Sequence, residues 1–281
     1  MTTLLRDKLE SRLIPAAQDF QGVMGIGVKD LERGHEFYVN GDEVFPIGSS
    51  IKIPILIEFF RKVEAGLIDP EEQLVLQEAH LVGGSGVLQE LHPGQVTMPL
   101  IDYATLMITV SDNVATNILI DLVGMPYVNE TLTTLGLNET RLQRKMIDLE
   151  ASKAELENVS TPKDMVRLMS LLYEGEHLTP YVRENTLSIL KKPKGAAIRA
   201  SVPDDIAVAD KPGGVEGVSC DIGIVMLPRR PYALAVLAKH TPISDFHSLV
   251  TNDAMIRVTG LVQAYFQEID LATESGRRIP T

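Results

Sequence analysis

The chain of 281 residues has a single cysteine, Cys220. One thiol excludes an internal disulfide framework and rules against a cysteine-based metal site. The six histidines show no His-x-His or His-Glu-x-x-His spacing, so no metallohydrolase pattern and no metal are expected. Basic residues are scarce beside acidic ones, 26 against 38, for a formal net charge of −12. That balance argues against nucleic acid or an anionic membrane as partner, since phosphates call for a basic face. No apolar run approaches the roughly 20 residues of a membrane span. Gly22, Gly25 and Gly27 fall in a strand-like run and open no helix, which argues against a dinucleotide or phosphate loop, so no cofactor is expected. The N-terminus, MTTLLRDKLESRL, places charges between leucines at helical intervals and has no continuous apolar segment of the secretory type. The chain as written is therefore expected in the cytoplasm, or in the periplasm or outside the cell had a signal been removed.

What is present is an ordinary globular composition, 44% hydrophobic and 23% charged, in a chain long enough for one large domain or two packed lobes. After an amphipathic first helix, VMGIGVKDLERGHEFYVNG reads as two strands joined near Glu32–Gly34. Helical spacing then dominates from about Ser50 to Leu190: Ile55, Phe59, Phe60 and Val63 mark one helix, Leu100 to Val110 a second, and Val114, Ile118 and Leu122 a third. Thr161-Pro162 opens a further helix over Lys163–Tyr173, and another covers Val182–Leu190. Strands return at IAVADK, DIGIVMLP and YALAVLAKH, with a hairpin turn at Pro228–Pro231. A long helix over about Asp245–Glu268 closes the chain, and the tail ESGRRIPT is expected to lack order. Strands at both ends with helices between them predict an α+β fold. One sheet, from residues 1–48 and 205–281, carries an inserted all-helical lobe over 49–204.

Within the apolar run VFPIGSSIKIPIL, Lys52 is out of place, because a lysine rarely goes inside without a partner. Ser49 and Lys52 are three apart and share a helical face, whereas Ser50 and Lys52 do not. A serine hydroxyl is a weak nucleophile until a base takes its proton. Lysine can be that base only where desolvation or nearby positive charge favours its neutral form, and Ile47, Ile51, Ile53 and Ile55 supply the desolvation. Gly48 permits a sharp turn that places Ser49 and its N–H at a helix start, where orphan amides can hold an oxyanion. The competing reading makes the serine a helix cap and the lysine a snorkelling side chain, and a lone Ser-x-x-Lys arises by chance about once in a few hundred residues.

Two further motifs shift that balance. Ser111-Asp112-Asn113 joins two apolar helices, and VADKPGGVEG puts Lys211, Gly213 and Gly214 at the end of a strand. Each alone is an ordinary turn. Their order, with 62 and then 100 residues between first positions, is not.

With these residues the sequence resembles the class A β-lactamases and penicillin-binding serine hydrolases, which carry this trio of motifs, over nearly the whole chain. The resemblance implies a β-lactamase/transpeptidase-like fold and a small-molecule substrate, a β-lactam or an acyl-D-Ala-D-Ala end. It implies Ser49 as the acylated nucleophile, Lys52 as its base and Ser111 as the relay of a proton to the leaving nitrogen. Asn113 would bind the substrate's side-chain amide and Lys211 its carboxylate. The amides of Ser49 and Gly214, beside Gly213, would form the oxyanion hole.

Three departures stand out. Pro212 removes the hydroxyl that the family's Lys-Thr-Gly or Lys-Ser-Gly motif carries. Cys220 and Asp221 lie where the next strand commonly has an arginine. The family's Arg-x-Glu-x-x-x-Asn loop, whose glutamate activates the deacylating water, reads Arg144-Lys145-Met146 with Glu150 in the asparagine position. Asp148, Glu155 and Glu157 lie nearby at other spacings. The leading expectation is a class A-type serine β-lactamase; the alternatives are a penicillin-binding peptidase or esterase with slow deacylation, and a silent relative that only binds a ligand.

Overall fold

The computed structural model describes residues 3–241, 249–273 and 275–279. Along the chain run helix α1 (Thr3–Gln18), strands β1 (Val23–Asp30), β2 (Glu36–Val39) and β3 (Phe45–Pro46), a 3-10 turn (Gly48–Ile51) and helix α2 (Lys52–Glu64). Strands β4 (Gln73–Val75) and β5 (Thr97–Pro99) precede helices α3 (Leu100–Thr109), α4 (Asn113–Val123), α5 (Met125–Thr134) and α6 (Leu149–Lys153). Then come β6 (Val159–Ser160), α7 (Pro162–Glu174), α8 (Pro180–Leu190), α9 (Ala197–Ser201), β7 (Val208–Val215), β8 (Val218–Val225), β9 (Tyr232–Lys239) and α10 (Leu249–Asp270). Among the described residues no helix is long and apolar enough to cross a membrane.

The chain divides into two compact units, one of residues 1–50, 160–174 and 195–281, the other of residues 51–159 and 175–194. The first is built on an antiparallel sheet of order β2-β1-β9-β8-β7, in which N-terminal β1 pairs along its length with C-terminal β9. The pleat sorts β1 into two faces. Met24, Ile26 and Val28 enter a core shared with Leu13 of α1 and with Val262 and Phe266 of α10. Gly25 and Gly27 point the other way, toward α7. A Cβ on Gly25 would sit 2.7 Å from Pro162 Cγ and one on Gly27 2.7 Å from Val166 Cγ2, so these glycines exist to let the helix lie close.

Helix α2 organises the second unit, with α3, α4, α5 and α8 against it. Every residue from Lys52 to Phe60 is buried, the pattern of a helix surrounded by others. Its buried carboxylate, Glu58, accepts from Thr131 Oγ1 at 2.7 Å and lies 3.4 Å from Arg61. Burial raises its proton affinity above the ordinary glutamate range, against the smaller opposing pull of Thr131 and Arg61.

Several expectations are redrawn. The helical lobe is not all-helical, because β4 and β5 pair antiparallel with Leu74 opposite Met98. The boundaries at 48 and 205 also move: α7 packs on β1, β8 and β9, and α9 on β7, β8 and α10, so both belong with the sheet. In the tail, Ala272 bridges Arg278 and the Ile279 amide donates to Leu271 O at 2.8 Å, so residues 275–279 fold back on the end of α10, while residues 274, 280 and 281 lie outside the described residues. Residues 245–248 of the expected last helix lie outside the described residues.

Gly25→Ala is expected to lower stability by about 2–3 kcal/mol through overpacking against Pro162 and Phe45. Urea unfolding checks this, and an unchanged midpoint would contradict the close approach of α7.

Candidate active site

In the first unit the chain reaches Ser49 through Gly48, whose φ of +46° is left-handed and suits glycine. A Cβ there would lie 2.6 Å from the Gly214 amide nitrogen, and a Cβ on Gly213 would lie 2.4 Å from Ile47 O. The turn therefore sits directly on β7, the edge strand of the sheet and the kind of strand in which Pro212 is tolerated. Ser49 is half-buried, while Ser50 is wholly buried. Ser50 Oγ donates to Lys211 O at 2.9 Å and touches Cys220 Sγ at 3.2 Å. The thiol in turn donates to Ile47 O at 3.0 Å. Cys220 is thus more than a small apolar filler. Lys211 is buried as well, and its ammonium donates to Pro212 O at 2.8 Å. Asp221, on the neighbouring strand, directs Oδ2 to the Ile198 amide at 2.8 Å and so anchors the start of α9.

Ile51 has helical angles, so the 3-10 turn runs without a break into α2 and Pro54 falls in the first α-turn, where it costs little. Ser49 and Lys52 lie three residues apart on this path, on one face. In the second unit Lys52 is fully buried and its ammonium donates to Ser111 O at 2.7 Å, Ser111 Oγ at 3.0 Å and Asn113 Oδ1 at 3.1 Å. Ser111 has φ +56°, an uncommon conformation for a residue with a Cβ, which aims both its oxygens at the lysine. Asp112 faces away. Its carboxylate caps α4 at the Ala115 amide, 2.9 Å, and takes the amides of Val87 and Leu88 at 2.7 and 2.9 Å. The Asn113 amide group donates to Gly83 O at 3.1 Å and its backbone N–H to Ser85 O at 2.9 Å, which ties the glycine-rich loop 83–86 to the Lys52 group.

Residues 141–159 form a loop whose ends meet where Arg141 bridges Val159. Arg144 pairs with Glu157 at 2.7 Å across its neck. Three asparagines hold its backbone with both ends of their amides. Asn117 takes the Met146 N–H at 2.8 Å and donates to Met146 O at 3.1 Å, and Asn129 does the same for Leu142 at 2.9 Å each. Asn158 accepts from Gln143 and Arg144 at 2.8 and 3.1 Å and donates back to Arg144 O at 3.1 Å. Met146 is buried at the position where a glutamate was looked for. Of the other carboxylates, Asp148 caps α6, Glu157 also accepts from Ser152, Glu150 pairs with Lys153 on the surface, and Glu155 is exposed. Among the described residues no group of histidine, cysteine and acidic side chains could hold a metal.

The sequence reading missed the anchoring roles of Asp112, Ser50, Cys220 and the asparagines. A detectable signal existed for two of them, since Asn117 and Asn129 interrupt apolar helices where asparagine is a weak helix former. Asp112→Ala should cost about 3–5 kcal/mol, because it leaves three backbone amides without their acceptor; a denaturant midpoint within error of the parent would refute the anchoring role. Burial pushes the Cys220 thiol up from 9.0 to about 12, so the folded state holds that proton more tightly than the unfolded chain. The stability this contributes is complete below pH 9 and is lost as pH rises toward 12. Cys220→Ala should therefore flatten the alkaline decline of the melting temperature over that window.

Comparison with known proteins follows the same lines. Residues 5–264 match the model of the β-lactamase enzyme family. The chain is 29% identical over 194 residues to the β-lactamase CARB-3 of Pseudomonas aeruginosa, covering 68% of this chain and 67% of that protein. Its fold is similar to that of a β-lactamase from Sphaerobacter thermophilus, with TM-score 0.81, 32% identity, and 91% and 96% of the two chains covered. It is also similar to a leucine-to-glutamate variant of PBP-A seen as an acyl-enzyme complex with penicillin G, with TM-score 0.82, 28% identity, and 93% and 97% coverage. With a family match that spans most of its length, the chain belongs to the β-lactamase enzyme family.

Proposed function

We propose that this protein is a serine β-lactamase of the class A type that opens β-lactam amides through an acyl-enzyme on Ser49. The observation that carries this is the Lys52 group: a fully buried ammonium 3.0 Å from Ser111 Oγ and 3.1 Å from Asn113 Oδ1, three residues beyond a half-buried serine on one helical path. In this reading Lys52 first loses one ammonium proton to solvent, and as the neutral amine it takes the Ser49 hydroxyl proton while Oγ attacks the lactam carbonyl. The carbonyl oxygen becomes an anion held by the amides of Ser49 and Gly214. As the C–N bond breaks, the proton passes from Lys52 through Ser111 Oγ to the departing nitrogen. A serine hydroxyl both accepts and donates, so it suits the relay. Asn113 binds the substrate's acyl side-chain amide. Lys211 draws the substrate carboxylate by its potential from beneath the strand, without the aid of a hydroxyl at residue 212.

Release of the acyl group is the weak step. Met146 cannot activate water, Asp148 and Glu157 hold the loop's own structure, and Glu150 and Glu155 are exposed on its surface. This favours fast acylation followed by slow turnover, and at the limit a second reading, a penicillin-binding protein that keeps its adduct. The likeness to a PBP-A variant observed as an acyl-enzyme supports that reading.

A chromogenic cephalosporin followed by colour and intact mass tests both. The expected result is a stoichiometric burst, an adduct mapped to Ser49 and a slow steady phase; a permanent adduct supports the second reading. Ser49→Ala should lose the adduct while Ser50→Ala keeps it. No adduct and no colour, with simple esters equally inert, would leave only a ligand-binding role. Met146→Glu should raise the steady rate by about tenfold or more and shorten the life of the adduct.

A further inference from the structure

The network under the Ser49 turn has more structure than a turn requires. Ser50 N–H donates to Ile47 O at 3.0 Å, as any such turn would allow. Beyond that, two buried side chains hold this turn to the sheet edge from either side. Ser50 Oγ reaches Lys211 O on β7, and Cys220 Sγ on β8 reaches Ile47 O, while the two side chains touch at 3.2 Å. The strand register places Cys220 directly opposite Gly213, the residue on which the turn rests. Each side chain carries one proton, and the two carbonyls, Lys211 O and Ile47 O, take one each. The contact between Ser50 and Cys220 then holds the two donors in register.

We propose that Ser50 and Cys220 are positioning residues that set the separation of the Ser49 and Gly214 amides, and thereby the rate at which Ser49 is acylated. The proposal rests on the Ser49 reading above. Its logic is geometric: the Ser49 amide rides on the turn, the Gly214 amide on β7, and the two side chains are polar links that tie the turn to β7 and to its neighbour β8. A shift of one amide against the other leaves the pocket open to substrate but weakens the hold on the oxyanion, so it lowers the acylation rate and not the affinity. The thiol must stay protonated to hold Ile47 O. The upward push of burial on Cys220 keeps it so throughout the neutral range.

The test compares the full chain with Ser50→Ala, Cys220→Ala and Cys220→Ser by stopped-flow acylation with a chromogenic cephalosporin. Melting temperatures are recorded alongside. Both alanine variants should acylate on the order of tenfold more slowly at saturating substrate. The concentration giving half the maximal acylation rate should stay within about twofold. Cys220→Ser, which restores an O–H donor, should recover most of the rate even where its melting temperature stays low, which a purely structural role would not produce. Parental acylation rates in the alanine variants overturn the proposal. So does a rate loss that tracks melting temperature across all three variants. A parent chain that forms no adduct on Ser49 overturns the nucleophile reading itself, an outcome visible before any variant is compared.

Discussion

The constraint on which the helical unit depends is the burial of the Lys52 ammonium. A charge removed from water costs several kcal/mol unless its donors are met, and α2 offers apolar neighbours at every adjacent position. Three oxygens within 3.1 Å meet it, and all come from the short segment Ser111–Asn113. To bring two of them to one nitrogen, Ser111 adopts a left-handed backbone that costs about 1–3 kcal/mol. Asp112 then has to face the opposite way, where it caps α4 and gathers the amides of Val87 and Leu88. Loop 83–88 is thus tied down by the same three residues that satisfy the lysine. One buried charge explains the strained serine, the buried aspartate and the position of a loop more than twenty residues away in sequence.

The sheet unit solves a different problem, an edge strand with open backbone groups. Residues 47–50 cover part of that edge, and glycine at 213 and 48 is what allows contact at backbone distance. The two units differ in how they make precision. The helical unit uses charge and backbone strain, and the sheet unit uses close packing and two neutral hydrogen-bond donors.

How much of this was readable in the sequence depended on whether the cause was local. Helical spacing favoured Ser49 over Ser50 as the candidate nucleophile, since the i, i+3 relation is a property of one turn; in the structure Ser49 is half-buried and Ser50 buried. The antiparallel sheet drawn from both termini was legible because β1, β8 and β9 alternate or run apolar between clear turns. What could not be read was set by neighbours distant in the chain. Cys220 passes for a small hydrophobe until Ile47 and Ser50 are beside it. Pro162 and Val166 look like any amphipathic helix, and only Gly25 and Gly27 across from them assign α7 to the sheet. The β4–β5 pair was hidden because three-residue strands carry too little alternation to register.

On the proposed reading, the loop 141–159 is where capture and release of the acyl group would part. Its backbone is held by asparagine amides, each of which donates and accepts at once and none of which ionises near neutral pH. Such a set makes a stiff loop but no proton acceptor. Two of its carboxylates are likewise tied into the loop, Glu157 to Arg144 and Asp148 to a helix cap. At Met146 the backbone is held by both its N–H and its C=O while the side chain carries no base. A serine ester is a reasonable leaving point for water only when something takes the water's proton. Lys52 donates to Ser111 Oγ and to Asn113 Oδ1. On the proposed acyl-enzyme reading, the balance of the two rates would turn on the side chain at residue 146 and not on the nucleophile.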